Sequence, residues 1–407
     1  MNTTCIIIGA SHAGIQMAVA VRQEGWSGRI VLIGDEPSLP YHRPPLSKAY
    51  LKGEATLAII HPQASLDKHA IEFIASTRVL KIDRPSRLVH LDNGQAMPYD
   101  KLALCTGARL RRLDVSGATR MGVHYLRDLA DADRLRAQLP NARRAVIIGA
   151  GYIGLETAAS LRQLGLEVTV LEAGGRILER SVDSAVSEYF TLLHARHDVT
   201  IHTGQQVSAI LGSERVEAVQ CSDGSCYPAD LVVIGIGVQP NVELAQEAGL
   251  DVDNGIVVDA QGCTTDPAIF AAGDCTAFPS LHLQRRARLE CLAHASDQAR
   301  TAAANLCGKH QAYQALPWFW SDQYTTRLQM TGMAEKYDRV VQRGQTSADS
   351  FSRFYLAAGV LVSTLCVNRP KDFIASKRLI GEMAQLDLEK LADEGAELST
   401  CVLGLPA

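Results

Sequence analysis

Two glycine-rich turns carry the clearest chemistry in this chain. The first, Gly9-Ala10-Ser11-His12-Ala13-Gly14, follows the apolar run Cys5-Ile6-Ile7-Ile8 and leads into a helical stretch from Ile15 to about Glu24. The second, Gly149-Ala150-Gly151-Tyr152-Ile153-Gly154, follows Arg144-Ala-Val-Ile-Ile148 and leads into a helical stretch to about Leu164. Both fit G-x-G-x-x-G, with serine at the middle place of the first copy. In this pattern the first glycine makes a tight turn, the second lets phosphate approach the backbone, and the third lets helix and strand pack closely. The helix N-terminus then binds a pyrophosphate. Ser11 is small and can donate a hydrogen bond there. One such motif is weak evidence, but two copies set between strand and helix are strong.

Each cradle is followed by an acid where an adenosine ribose would lie. After the strand Arg29 to Ile33 come Gly34-Asp35-Glu36, with Asp35 the first choice and Glu36 the near alternative. After Val168 to Leu171 comes Glu172. A carboxylate there accepts bonds from a free 2′-hydroxyl and repels a 2′-phosphate, which favours NAD over NADP. Arg176 and Arg180 stand nearby and arginine can hold that phosphate, so the preference is not one-sided.

Two further segments invite a chemical reading. In Arg43-Pro-Pro-Leu-Ser-Lys48 the prolines stiffen the backbone, and Lys48 can bring positive charge to an anionic group. The plainer reading is a helix start with Ser47 as N-cap. Phe270-Ala-Ala-Gly-Asp274 ends a buried strand in a turn and an acid, which can bind hydroxyls or cap the next segment.

The elements that must position these residues read as strand–helix–strand units in a chain of 407 residues, enough for two or three domains. Hydrophobic residues are 47% and charged residues 21%, the balance of a soluble globular protein. No apolar run approaches the roughly 18 residues of a membrane span, and no basic region precedes the first strand, so neither membrane nor secretion is expected. Net charge is −4, which argues against a nucleic-acid binder. The ten cysteines show no metal-ligand spacing and point to a reduced cytoplasm. Cys221 and Cys226 flank Asp223-Gly224, a two-residue hairpin signal that would set them opposite one another. Their spacing suits a redox disulfide, although exposed hairpin cysteines usually have no such role.

With these segments in view, the chain resembles the FAD-dependent ferredoxin reductases of the putidaredoxin reductase type, which serve bacterial monooxygenases and Rieske dioxygenases. The resemblance spans nearly the whole sequence. It is carried by Arg43 to Lys48, Gly149 to Glu156, Val233-Ile-Gly-Ile-Gly237 with Pro240-Asn241, Phe270 to Asp274, Pro317-Trp-Phe-Trp-Ser-Asp-Gln-Tyr324 and Val367-Asn-Arg-Pro370. It implies FAD and NAD as cofactors. Gly9, Ser11, Ala13, Gly14, Asp35, Arg43, Lys48, Val79, Arg127, Asp274 and Leu292 then fall on the FAD side, with Val79 at the adenine, Arg127 toward the diphosphate or ribityl chain, and Leu292 near the ring. Gly149, Gly151, Ile153, Gly154, Glu156, Glu172, Arg180 and Gly237 fall on the NAD side. Lys48 and Glu156 form a pair at the flavin, since either charge buried alone would be costly, and Glu156 can also meet the nicotinamide carboxamide. Trp320 shields the site, with core packing as its competing role. The family usually has Ser and Asn where Cys291 and His294 stand, which touches flavin potential rather than reaction class.

The fold class implied is α/β: two Rossmann-like domains of glutathione-reductase type, the NAD domain inserted in the FAD domain, plus a C-terminal α/β domain. The expected ranges are 1–113 with 243–316 for FAD, 114–242 for NAD, and 317–407 for the last. No cysteine set for an internal cluster is visible, so electrons would leave for a separate 2Fe–2S ferredoxin. An acidic partner would dock near Arg285, Arg286 and Arg288, with Arg369, Lys371, Lys377 and Arg378 as further candidates. The rival readings are an NADH oxidase using Cys291, an apoptosis-inducing-factor-like flavoprotein, a thiol reductase using Cys221 and Cys226, and a nucleotide sensor.

Overall fold

The computed structural model describes residues 3–404. Strands whose side chains are apolar on both faces must be covered on both faces, which is the condition of a parallel sheet between helices. Two such sheets form. In the first, the strand order is Ile269–Ala271, Lys101–Leu104, Thr4–Ile8, Arg29–Ile33 and Ile71–Ile74, all parallel. In the second it is Val199–His202, Glu167–Leu171, Arg144–Ile148, Leu231–Ile234 and Val123–Tyr125, again all parallel. Each sheet carries its own antiparallel three-stranded meander, Val79–Pro98 on the first and Val207–Pro228 on the second. The chain crosses between the sheets on a two-stranded ribbon, Ala108–Leu110 against Val238–Pro240.

A third, antiparallel sheet follows, ordered Trp318–Gln323, Thr326–Gly332, Val360–Val367, Ser350–Ala357 and Arg339–Gln345. The helix Pro370–Gly381 packs on it. Trp318–Gln323 is its edge strand, and it lies against the helix Tyr152–Gln163 of the second sheet. That contact brings the aromatic-rich run to the second glycine turn.

One expectation needs correcting. Cys226 lies opposite Gln220, and the Cys221 N–H donates to Ser225 O at 2.9 Å. The hairpin loop therefore holds three residues, Ser222 to Gly224, with Gly224 at φ 89°. A one-residue change of register sends a side chain to the other face of a strand. Cys221 is buried, Cys226 is exposed, and both are free thiols. A disulfide between them is not formed.

Two of the three motif glycines of the second turn, Gly151 and Gly154, differ in what they serve. A Cβ on Gly154 would sit 2.1 Å from Gly149 O, whereas one on Gly151 would meet nothing within 4 Å. Gly154→Ala is expected to lower the free energy of unfolding by about 1–3 kcal/mol. Gly151→Ala should change it by no more than about 0.5 kcal/mol. Urea denaturation of both variants checks the contrast.

Candidate active site

At the second turn Gly149 sits at φ 101°, where a Cβ would lie 2.5 Å from Gly235 O. The Glu172 carboxylate accepts the Ala150 N–H and the Gly174 N–H, each at 2.7 Å. It is thus fixed at the strand end, beside the turn. Gly151 has φ −78°, open to any residue, so no protein contact requires glycine there. A pyrophosphate resting on the turn does require it. Ile153 is 49% exposed on the first helical turn, an apolar side chain free to cover a bound nucleotide. A Cβ on Gly237 would lie 3.6 Å from Arg180 Nη2, so these two residues share one wall. Arg176 is committed elsewhere: Nη1 donates to Val182 O and Ser187 Oγ, each at 2.8 Å, and Nη2 to Glu179 O.

The first turn repeats this geometry with different supports. Gly9 is at φ 106° against Cys105 O, and a Cβ on Gly14 would sit 1.8 Å from Gly9 O. Arg43 joins the parts: Nε donates to Ser11 Oγ at 3.0 Å, Nη1 to Arg127 O at 2.9 Å, and Nη2 pairs with Glu36. Glu36 also accepts from the Tyr41 hydroxyl. Asp35, by contrast, faces outward to Arg78 at 3.1 Å. Of the two acids, the near alternative is the one turned toward the cradle. Val79 is buried among the apolar residues beside Ile33. Arg127 Nη2 pairs with Asp274 at 3.2 Å, and the Gly273 turn packs on Ala13. Leu292 begins the helix Leu292–Leu306. His12 Nε2 is buried with no partner. Burial, with His42, Arg43 and Arg127 close by, pushes its pKa down to about 3. A buried polar atom without a partner beside a glycine turn fits a dinucleotide such as FAD.

On the helix that follows the second turn lies a carboxylate held by three donors. Glu156 is 2% exposed. Its Oε2 accepts from Lys48 Nζ at 2.5 Å and from Ser47 Oγ at 2.6 Å, and its Oε1 from Ser321 Oγ at 2.7 Å. Ser47 is therefore not a helix cap, as the plainer reading of its segment had it. It closes a short 3₁₀ turn, Pro44–Ser47, and its carbonyl accepts from Ser160 Oγ at 2.7 Å. Strand alternation turns Ser321 and Gln323 toward Glu156 and sends Trp320 to the other face. There Trp320 stacks on Trp318 at 5.6 Å and lines a groove of about 310 Å³ with Arg327, Gln329, Pro370, Phe373 and Ile374.

His294 is buried, stacked on Phe278, with Nδ1 at 2.9 Å from the Tyr313 hydroxyl. Burial pushes its pKa down to about 4 and pushes the Cys291 thiol up to about 11. At neutral pH Cys291 is a thiol, not the thiolate that nucleophilic chemistry needs.

The structure thus gathers Lys48 and Glu156 at one place, Ser11, Arg43, Arg127 and Asp274 at a second, and Glu172, Arg180 and Gly237 at a third. Trp320 and Asp35 stand on outer faces. Ser321 was missed by sequence reasoning, although the residue after Trp320 in a strand must face the opposite way.

Four histidines set a pH dependence. His12 is lowered to about 3, and His124, His194 and His294 to about 4, each chiefly by burial, from an ordinary value of 6.5. A histidine whose folded value is depressed contributes stability above the unfolded value and loses it as pH falls through the folded one. The melting temperature is therefore expected to fall as pH drops from about 6.5 to 4. His294→Asn should flatten that fall, and an equal fall in both proteins would count against the assignment.

Comparison with known proteins completes the picture. Residues 3–299 match the family model described as pyridine nucleotide-disulphide oxidoreductase, and residues 318–402 match the reductase C-terminal model. Putidaredoxin reductase of Pseudomonas putida is 43% identical, covering 100% of this chain and 98% of its own length. The ferredoxin–NAD(+) reductase component of an anthranilate 1,2-dioxygenase system from Burkholderia cepacia is also 43% identical, covering 97% and 98%. The crystal structure of a covalent putidaredoxin reductase–putidaredoxin complex superposes with TM-score 0.95 at 42% identity, covering 98% of each chain. With both nucleotide turns intact and kinship along its whole length, this chain belongs to the pyridine nucleotide-disulphide oxidoreductase family.

Proposed function

We propose that this protein is an NADH-dependent, FAD-containing ferredoxin reductase that delivers single electrons to a 2Fe–2S ferredoxin serving an oxygenase. The observation that carries the reading is Glu156, buried beside the NAD turn and paired with Lys48 of the FAD half. Near relatives bear the names of ferredoxin reductases of oxygenase systems, which supports the choice of partner. FAD, when bound, would supply the change from two-electron hydride uptake to one-electron delivery.

In this reading the chain's own residues have these tasks. Gly149, Gly151 and Gly154 hold the pyrophosphate of NADH, with Ile153 over it and Gly237 and Arg180 at its flank. Glu172 selects a free ribose 2′-hydroxyl, and with Arg176 committed to Val182 and Ser187 only Arg180 remains to favour a phosphate. On the flavin side Gly9, Ser11, Ala13, Gly14 and Arg43 hold the diphosphate, Arg127 and Asp274 the ribityl chain, and Val79 the adenosine end, with Glu36 in the place first given to Asp35. Lys48 places positive charge at the ring and Glu156 orients the carboxamide, while Leu292 flanks the site; Trp320, on the opposite face of its strand, has no part in it. The ranges 1–113 with 243–316, 114–242 and 317–407 serve as FAD, NAD and C-terminal domains. Ten free thiols suit a reducing cytoplasm.

Docking falls on the arm Arg285–Ala287 and the adjoining Arg288. Arg285 pairs with Glu335 and Arg288 with Glu290. Among the described residues Arg286 has no carboxylate partner, so it carries most of the attraction for an acidic ferredoxin. The oxidase reading needs a reactive thiolate, and burial works against one at Cys291.

Anaerobic stopped-flow mixing tests the reading. NADH should bleach the flavin much faster than NADPH, and a 2Fe–2S ferredoxin should then reoxidise it promptly. Fast bleaching without transfer, followed by rapid reaction with air, would overturn the ferredoxin assignment. Arg286→Glu should slow transfer to an acidic ferredoxin by about 10-fold or more at low salt and much less at high salt. Equal rates at both salts would remove Arg286 from the docking face.

A further inference from the structure

His194 lies in the helix Ser184–Arg196, and no step described so far uses it. Neither do Gln323 or Tyr324. Yet these residues stand in one line that ends on Glu156. The Tyr324 hydroxyl is 3.1 Å from His194 Nδ1, and His194 Nε2 is 2.9 Å from Gln323 Oε1. Gln323 Nε2 is 3.2 Å from Ser321 Oγ, and Ser321 Oγ is 2.7 Å from Glu156 Oε1. His194 and Ser321 are fully buried and Gln323 nearly so.

The direction of every hydrogen in this line follows from its end. A carboxylate only accepts, so the Ser321 O–H must point at Glu156. Ser321 Oγ is then left to accept, which it does from the Gln323 amide nitrogen. Gln323 Oε1 therefore faces His194, and Nε2 of the imidazole must carry the hydrogen. Nδ1 of a neutral ring is then an acceptor, and the Tyr324 hydroxyl supplies it. Turning the Gln323 amide over would take the Ser321 hydrogen away from Glu156 and leave two oxygens facing each other at 2.7 Å. Burial, which lowers the His194 pKa to about 4, keeps the ring neutral as this arrangement needs.

We propose that Tyr324, His194, Gln323 and Ser321 form a one-way hydrogen-bonded line that holds the Glu156 carboxylate in place against Lys48, making them positioning residues for the hydride step. Successive dipoles pointing at one anion reinforce one another in a dry interior. The line also explains why a histidine is buried between the second and third sheets, where an apolar residue would pack without needing partners. It rests on the proposed placement of FAD against Lys48.

The test uses the FAD-loaded protein and reads the flavin midpoint potential by dye-coupled chemical titration, which does not involve NADH. In His194→Phe and Gln323→Met the potential should rise, because a carboxylate held less firmly leaves the Lys48 charge less neutralised. Gln323→Met keeps nearly the same volume and charge but offers no hydrogen to Ser321. The saturating rate of flavin reduction by NADH should fall about 10-fold in both, with the apparent Kd for NADH much less affected. Tyr324→Phe, which keeps the ring stacked on His197, should shift the potential in the same direction by less. A role in packing alone would lower the melting temperature and leave potential and rate unmoved; that result overturns the proposal. If the unmutated protein is not reduced by NADH at all, the hydride reading fails, and the potential still decides the line.

Discussion

The rest of the structure is arranged around a carboxylate that cannot be left alone. Glu156 is buried, and an ionised carboxylate in a dry interior is costly unless it is paired and hydrogen-bonded. Carried on a helix of the second half, it takes its partners from two other parts of the chain: Lys48 and Ser47 from the first half, and Ser321 from the edge of the third sheet. Removing one member of such a pair typically costs about 3–5 kcal/mol, because the other is stranded. The three sheets are thereby coupled through one buried carboxylate on the helix that follows the second glycine turn. A site for hydride transfer gains from this, since a reacting geometry off by a fraction of an ångström loses rate steeply.

The two glycine turns show how far one motif tolerates change. Gly9 and Gly149 are bound to their identity by positive φ and by a carbonyl behind each of them. Gly14 and Gly154 are bound by contact with the turn they close. The middle place is different, because the protein does not fill it. In the second turn it stays glycine, leaving room for a ligand. In the first it is Ser11, whose hydroxyl is taken up by Arg43. The same arginine reaches Glu36 and the Arg127 carbonyl, so the side chain added at position 11 is absorbed into a local network instead of obstructing the cradle.

Much of this was legible beforehand where one local pattern decides the outcome. Arg29–Ile33 and Arg144–Ile148 form as strands at the bounds read from their apolar runs, and the helices after both glycine turns end within a residue or two of expectation. What stayed hidden depends on register and on distant partners. Asp223-Gly224 signals a hairpin but not whether its loop holds two residues or three, and that single residue separates Cys221 from Cys226. Ser47 looks like a cap until Glu156 arrives from more than a hundred positions away. His194 carries no motif and Ser321 is overshadowed by the tryptophans of its run, and only the packing of the edge strand gives them a common purpose.

The two ends of the proposed electron path are built by opposite means. At the hydride end the charges are buried, paired at short range and held by neutral donors, so their geometry is fixed and salt has little hold on them. At the docking arm proposed above, Arg285 lies on the surface and is already matched by Glu335, while the largely covered Arg288 pairs with Glu290. Exposed pairs of this kind contribute little to stability, about 0–1 kcal/mol. They leave a modest net positive field centred on Arg286, which would suit the brief binding of the partner proposed above. A strongly basic face would hold an acidic carrier too long for repeated turnover, whereas a largely neutralised one steers it briefly and lets it go.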